Sequence, residues 1–216
     1  MLSRYNNAFS TALSLVALIV LIPLRASAQS DETLTVTRQR QSGPDLIEAE
    51  FTIPASTALL VSVLETPCHV LNWMPDLTDI RILDDAPDGT QRVYMRSRGT
   101  LFSQPRDSIS LFTKTDDAVN THAESSKTPI VITMRAQPDA LAEQPDTVRI
   151  PFARARWSLS EREASTLLTY QQEVAAGGNV PQWLADQYSV RFVRNAMESL
   201  TKYVATLSSS DCPAIQ

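Results

Sequence analysis

Apolar residues recur every three or four positions near the C-terminal end of the chain. The pattern starts after Gly177-Gly178 and continues to about Leu207, with charged residues on the other side. Asn179 is suited to cap a helix here, and Pro181 to stand in its first turn. The apolar positions are Leu184, Tyr188, Phe192, Ala196, Leu200, Tyr203 and Leu207. They predict one long amphipathic helix that has to pack against a sheet.

Most of the chain before this helix alternates apolar and polar residues over short stretches, as half-buried strands do. A helical segment opens at residues 54–56 and ends before Pro67, and an irregular, apolar-rich loop follows from Cys68 to Asp79. Strands are predicted over residues 30–39, 46–53, 78–83, 91–99, 108–115, 129–136, 147–159 and 165–175. Consecutive strands with short connections form an antiparallel sheet. We therefore predict one α+β domain, in which the long helix packs across the concave face of a curved sheet.

The N-terminal residues have the pattern of a secretory signal peptide. Arg4 precedes an apolar run over residues 8–24, and Ala26-Ser27-Ala28 fits a cleavage site. An uncleaved membrane anchor is the alternative interpretation. The prediction divides the chain into a signal peptide at residues 1–28, a folded domain at residues 29–207 and a C-terminal tail at residues 208–216. Cleavage after Ala28 would place the mature protein in the periplasm or outside the cell.

The charge of the chain argues against two classes of partner. The formal net charge is −5 at pH 7, and cleavage of the signal peptide would remove Arg4 and Arg25, which makes the remaining chain more acidic. Because no basic block remains, neither nucleic-acid binding nor electrostatic docking on anionic lipid is expected.

Two cysteines, Cys68 and Cys212, allow one intramolecular bridge in an oxidising compartment. Such a bridge would tie the C-terminal tail to the early part of the fold and contribute about 4–5 kcal/mol in the loop-entropy model. A buried free Cys68 with a loose tail is the alternative, and the sequence leaves both open.

The order of these elements, with the residues at their corners, resembles the START domain, the family of StAR-related lipid-transfer proteins with the helix-grip fold. In the eukaryotic lipid-transfer members a helix usually precedes the first strand, and none is predicted here. The resemblance covers residues 32–207, most of the predicted mature chain. The residues that carry it are Trp73-Met74-Pro75, Tyr94, Pro105-Arg106-Asp107, Val148-Arg149, Trp157, Tyr170 and the run from Gly177 to Leu184.

The resemblance implies a cavity between sheet and helix that binds one hydrophobic small molecule, a lipid or a sterol, without a cofactor. Alternating strand residues can form its apolar surface, and large side chains can line or close it. Plain core packing is the alternative for each residue. The candidate ligand-binding residues are Trp73, Met74, Met95, Arg106, Ile109, Leu111, Ile132, Met134, Trp157, Tyr170, Trp183 and Tyr188.

The polar candidates are few. Arg106 could reach a polar headgroup, although a salt bridge at a strand corner explains Arg106-Asp107 better. Arg149, Arg154 and Arg156 alternate with apolar residues and are expected on the solvent face of a strand.

No catalytic residues and no metal ligands are predicted, because no set of His, Cys and acidic residues has the required spacing. An enzyme of the cyclase or hydrolase kind in the same cavity, and an interaction protein with a collapsed cavity, remain as alternatives. A monomer is expected, with transient membrane contact at most.

Overall fold

The computed structural model describes residues 34–99, 104–116, 128–207 and Cys212. Within these ranges the chain forms nine strands and three α-helices. The strands are β1 (Thr35–Gln39), β2 (Leu46–Ile53), β3 (Leu77–Asp85), β4 (Thr90–Ser97), β5 (Arg106–Asp116), β6 (Ile130–Ala136), β7 (Val148–Arg149), β8 (Phe152–Glu161) and β9 (Thr166–Ala175). The helices are α1 (Thr57–Glu65), α2 (Pro67–Trp73) and α3 (Gln182–Thr206). The predicted signal peptide and most of the predicted tail lie outside the described residues.

Eight strands follow one another across the sheet in the order β1-β2-β9-β8-β6-β5-β4-β3, with antiparallel pairs throughout. The short strand β7 pairs parallel with the start of β5, beyond the point where β6 ends. The predicted α+β fold, an antiparallel sheet with one long C-terminal helix, is confirmed. The prediction of a single strand over residues 147–159 is wrong, because Ile150 and Pro151 separate β7 from β8.

The pairing register shows which residues share the inner face of the sheet, the face that the helices cover. Directly opposite residues point to the same side. One such row runs Ala49, Tyr170, Trp157, Ile132 and Lys114 from β2 to β5. The first four are buried in the main core. The alternation predicted for residues 46–53 holds, since Ile47, Ala49, Phe51 and Ile53 are all buried.

Helices α1 and α2 form one cover of this inner face. The Ser56 side chain accepts a hydrogen bond from the Leu59 amide at 3.3 Å and caps α1. Pro67 stands in the first turn of α2, where its missing N–H costs nothing. The loop predicted from Cys68 is thus wrong in its first part, because Thr66 and Pro67 start a new helix there. Val70 and Trp73 of α2 are buried in the core.

Helix α3 forms the second cover, mainly over β1, β2 and β9. Gly177 and Gly178 precede it with φ of +71° and +62°, and a Cβ on Gly177 would lie 2.7 Å from the Arg149 carbonyl oxygen. Only glycine fits so close to that backbone. The helix begins after Pro181 rather than at Asn179, so the predicted N-cap is two residues too early.

The buried face of α3 differs from the predicted apolar stripe. Leu184 and Tyr188, which belong to that stripe, are exposed, whereas Ala196 and Leu200 are buried as predicted. The buried residues of α3 are Ala185, Asp186, Val193, Ala196, Met197, Leu200 and Val204. The face that meets the sheet therefore includes Asp186 and Val193, and a polar contact at Asp186 links the start of the helix to the β1–β2 hairpin.

That contact centres on the buried Asp186 carboxylate. It accepts hydrogen bonds from the Asp45 amide at 3.2 Å and from Gln182 Nε2 at 2.8 Å. Arg38 binds the Asp45 carboxylate and lies 3.6 Å from Asp186. The hydrogen bond from Arg38 holds the pKa of Asp45 below its usual value. These groups attach the start of α3 to the β1–β2 hairpin, with the buried carboxylate hydrogen-bonded as burial requires.

The C-terminal end of α3 is attached to α2. A disulfide joins Cys68 to Cys212, 144 residues apart in sequence. His69 Nδ1 lies 2.8 Å from the Tyr203 hydroxyl, which links the two helices through their side chains. The sequence left open whether Cys68 was bridged, and the structure contains the bridge.

A second polar layer lies on the outer face of the sheet. The Arg149 guanidinium donates to both oxygens of Asp107, at 2.9 and 3.0 Å, and to the carbonyls of Pro138, Leu141 and Ala142. Both side chains are buried. The expectation that Arg149 faces solvent is therefore wrong, because residues 138–142 fold over it and their carbonyl groups accept its remaining hydrogens. Asp107 pairs with Arg149 and not with its neighbour Arg106.

Replacing both cysteines by serine should lower the free energy of unfolding by about 5 kcal/mol, since the bridge closes a long loop in the unfolded chain. Urea denaturation of the oxidised wild type and the double variant measures this difference. Reductant should destabilise the wild type and leave the variant unchanged. Equal stability of the oxidised protein and the variant would contradict the prediction.

The Arg149→Met substitution should lower the free energy of unfolding by about 3–5 kcal/mol, because it leaves the Asp107 carboxylate buried without its cation. The double variant Asp107→Leu/Arg149→Met should regain most of that loss. Asp79→Asn, which removes an exposed ion pair with Arg81, is the control and should cost less than about 1 kcal/mol. Equal effects of the two single substitutions in urea denaturation would contradict the expected difference.

Candidate ligand-binding groove

An apolar groove lies between α1–α2 and the inner face of strands β3 to β6 and β8; we call it the inner groove. Its volume is about 60 Å³. Side chains from α1, α2 and five strands meet in it, because α2 places Trp73 opposite the part of the sheet that α3 leaves uncovered. Its main apolar lining residues are Val70, Trp73, Met74, Val93, Met95, Phe112, Ile132 and Trp157.

Three aromatic rings connect the inner groove to the core. Trp73 meets Trp157 edge to face, with ring centroids 6.2 Å apart, and Trp157 packs on Tyr170 at 4.1 Å. The Tyr170 hydroxyl donates to Gln172 Oε1 at 2.8 Å. Burial raises the pKa of Tyr170 far above its ordinary value, so this phenol stays protonated. The rings give the deep side of the groove a rigid apolar surface.

Two buried side-chain atoms of the described residues have no hydrogen-bond partner: Trp73 Nε1 and Ser110 Oγ. Trp73 lines the inner groove. Ser110 stands directly opposite Val93 in the β4–β5 pair, and Val93 also lines the groove. Since opposite residues point to the same side, Ser110 belongs to the same inner face.

One ion pair crosses the mouth of the groove, between α1 and the end of β5. Lys114 Nζ lies 2.8 Å from a carboxylate oxygen of Glu65, and both side chains are partly exposed. Within the described part of the chain, Glu65 and Lys114 are the two charged residues that line the inner groove. The rest of the lining is apolar or uncharged.

Seven of the candidate residues lie on or beside this groove. Trp73, Met74, Met95, Ile132 and Trp157 line it. Met134 lies opposite Phe112 on the same inner face, and Tyr170 packs on Trp157. Their role in ligand binding stays a prediction.

Ile109 and Leu111 lie elsewhere, which corrects the predicted alternation. Ile109 stands opposite Tyr94 and Leu111 opposite Arg92, on the outer face of the sheet. The β5 residues on the inner face are the even-numbered ones, from Ser108 to Lys114. The alternation in β5 predicts the wrong face, because the polar residues Ser108, Ser110 and Lys114 lie on the inner side and are typical of a solvent-facing side. Phe112, the largest side chain of the strand, was the available signal for the correct face.

The remaining three candidates stand apart from the groove lining. Arg106 Nε donates to the Ala176 carbonyl at 3.0 Å and an η nitrogen donates to the Gln104 carbonyl at 3.2 Å, so it binds strand ends. Trp183 is 62% exposed. Tyr188 is half exposed and donates its hydroxyl proton to Asp76 at 3.0 Å. Burial and the Asp76 carboxylate raise the pKa of Tyr188 to about 12.

A wider cleft of about 460 Å³ opens on the outer side, between residues 138–143, Arg149 and Pro151. The Arg149 guanidinium in this cleft already donates to Asp107 and to three backbone carbonyls. Asp139 and Glu143 make the remaining lining acidic. The inner groove has the apolar surface that a hydrophobic ligand needs, so it is the better candidate site.

Two searches of the described residues are negative. No group of three or more His, Cys, Asp or Glu side chains there could hold a metal ion. No helix in the same ranges is long and apolar enough to cross a membrane.

Comparison with known sequences gives little. No protein-family model matches the chain. An uncharacterized protein of Pseudomonas aeruginosa is 29% identical over 83 residues, which are 37% of this chain and 41% of that protein. The match thus spans less than half of the length of this curated relative.

Comparison with solved structures is more informative. A STAR-related lipid transfer protein from Xanthomonas axonopodis (fragment 25–204) matches with a TM-score of 0.68 and 24% identity, over 81% of this chain and 99% of that one. Human STARD10 matches with a TM-score of 0.66 and 15% identity, over 80% and 73%. Human StAR-related lipid transfer protein 5 matches with a TM-score of 0.61 and 17% identity, over 82% and 88%. The chain therefore has the helix-grip fold of the START domains and is a START-like domain in its architecture.

Proposed function

We propose that the protein binds a lipid, a sterol or another hydrophobic small molecule in the inner groove and carries or sequesters it in the periplasm. The observation that carries this proposal is an apolar groove that two covering helices leave between themselves and the sheet. The Xanthomonas and human proteins that share the fold are named as lipid transfer proteins, which supports the same class of ligand.

Binding would be driven by burial of apolar surface. Each CH₂ group taken from water contributes about 0.8 kcal/mol, so an acyl chain needs few polar contacts. The groove of about 60 Å³ has room for roughly two water molecules, whereas ligand pockets typically measure about 300 Å³ or more. The ligand therefore has to widen the groove as it enters.

The attachments of the helices indicate where the groove would widen. The disulfide joins α2 to Cys212 of the tail, and the His69–Tyr203 contact joins α2 to the C-terminal part of α3. Across the mouth, by contrast, α1 is held to β5 by the partly exposed Glu65–Lys114 pair, a type of contact that contributes about 0–1 kcal/mol. We place ligand access at this mouth, with α1 and α2 moving away from β5.

The location in the periplasm rests on the predicted signal peptide over residues 1–28. The Cys68–Cys212 disulfide supports it, because such bridges persist in oxidising compartments. A domain over residues 29–207 that acts as a monomer, with transient membrane contact during loading, completes the proposal.

Met95→Trp should block ligand uptake, because the larger indole would occupy the groove that the thioether lines. Native mass spectrometry of the purified protein should show a bound lipid for the wild type and much less for the variant. Leu83→Trp, at an exposed position of β3 outside the groove lining, is the matched control and should bind like the wild type. Apo wild-type protein that takes up nothing from a lipid mixture would contradict the proposed function.

Glu65→Gln should speed ligand uptake by up to about fivefold, because it removes the ion pair that spans the mouth. Stopped-flow fluorescence with the apolar dye N-phenyl-1-naphthylamine measures the association rate. Added salt should raise the wild-type rate and leave the variant unchanged. Asp79→Asn, which removes an exposed ion pair with Arg81 elsewhere on β3, is the control. A rate for Glu65→Gln equal to that of the wild type would exclude this access route.

A further inference from the structure

Trp73 lines the inner groove, and its buried indole nitrogen has no hydrogen-bond partner among the described residues. Its side chain is 2% exposed, and its Nε1 has no partner. An indole nitrogen can only donate, so the missing partner must be an acceptor. A buried donor without an acceptor costs about 1–3 kcal/mol, and native proteins leave few of them.

The described residues provide no acceptor within hydrogen-bond distance of Trp73 Nε1. Most of the groove lining is apolar, with Met74, Val93 and Trp157 among its residues. An acceptor for Trp73 Nε1 is therefore expected from the ligand.

The charge of the groove indicates which kind of acceptor fits. Among the described residues that line the groove, the positively charged one is Lys114, which is paired with Glu65 at the mouth. Arg106 is bound to the carbonyls of Ala176 and Gln104. A carboxylate or phosphate buried beside Trp73 would lose its hydration without gaining a free cation, which is costly. A neutral oxygen would not meet this penalty.

Ser110 offers a second polar contact on the same inner face. Its Oγ is buried and unpartnered, and it can either donate or accept. It lies four residues from Lys114 along β5, which corresponds to about 13 Å at the rise of a strand. A ligand long enough to reach from the mouth to Ser110 would pass along the apolar lining between them.

We infer that the ligand is a neutral lipid with an ester, ketone or hydroxyl oxygen, which accepts a hydrogen bond from Trp73 Nε1–H while its apolar part lies along β4 to β6. This inference rests on the proposed function and defines its ligand class. Ser110 Oγ binds a second oxygen of the ligand where one is present.

The test compares three probes with hydrocarbon chains of similar length: hexadecane, methyl palmitate and palmitate. Each displaces N-phenyl-1-naphthylamine from the purified protein, and the displacement gives its dissociation constant. Methyl palmitate should bind about tenfold more tightly than hexadecane, the factor expected for one hydrogen bond to a buried donor. It should also bind more tightly than palmitate.

Trp73→Phe removes the donor and keeps an aromatic ring, so it should abolish the preference for methyl palmitate over hexadecane. Trp183→Phe makes the same change in size at an exposed indole that stands apart from the groove lining, and it should keep the preference. Ser110→Ala should reduce the affinity for methyl palmitate by a smaller factor and leave hexadecane binding unchanged.

A spectroscopic measurement on the wild type keeps the inference testable if Trp73→Phe does not fold. The chain has three tryptophans, so three indole N–H signals are expected in a ¹⁵N–¹H spectrum. Trp157→Phe and Trp183→Phe identify two of them. Methyl palmitate should shift the Trp73 indole proton downfield, as a new hydrogen bond does, and hexadecane should not.

The outcomes separate the inference from the proposed function. If no probe displaces the dye, the proposed function fails. If hexadecane and methyl palmitate bind equally, or if Trp73→Phe keeps the preference, the protein binds hydrophobic ligands but Trp73 does not select them. Preference for palmitate would overturn the neutral class and indicate recognition of charge.

Discussion

The fold depends on the covering of one apolar face of a curved sheet. The neighbouring strands β2, β9, β8 and β6 present large hydrophobic side chains to that face. Burial of these side chains is the dominant favourable contribution to folding. A single helix cannot cover a sheet of this width, because helices pack about 8–10 Å apart whereas eight neighbouring strands spread much further. Helix α3 covers mainly β1, β2 and β9, and α1–α2 lie over the strands beyond them. The inner groove is the space that this division leaves.

The two covers are attached to the sheet with different strengths. The start of α3 is held to the β1–β2 hairpin by the buried carboxylate of Asp186. Helix α2 is joined to the C-terminal tail by the disulfide. Among the described residues, the ion pair at the mouth beside β5 is the partly exposed Glu65–Lys114 pair. An exposed ion pair opens at little cost, whereas a covalent bond and a buried hydrogen-bonded carboxylate do not. Motion of the cover is therefore expected on the β5 side.

Several features of the site could be read from the sequence, and particular residues show why others could not. Trp73, Met74 and Trp157 were expected beside a cavity because the chain resembles the START domains, and the structure places all three in the groove lining. Strand β5 is different. Its inner side carries Ser108, Ser110 and Lys114, and a register shift by one residue exchanges the two faces. Only the pairing with β4 and β6 shows that Phe112 points inward and Ile109 outward.

Arg149 is a charged residue whose position could likewise not be predicted from the local sequence pattern. Alternation predicts an exposed arginine, but residues 138–142 fold over it and Asp107 provides the opposite charge. Neither contact is local in sequence, so no pattern around Arg149 could indicate it. The unpartnered Trp73 Nε1 likewise becomes evident only when the surroundings of the side chain are known.

The α+β class, the long C-terminal helix and most of the element order could be predicted from the sequence, because they depend on periodicity and on residues such as Gly177 that act locally. Helix α2 and the break between β7 and β8 were missed. The buried side of β5, the face of α3 that meets the sheet and the bond between Cys68 and Cys212 became evident only in the folded structure. Each of these depends on contacts between residues far apart in sequence.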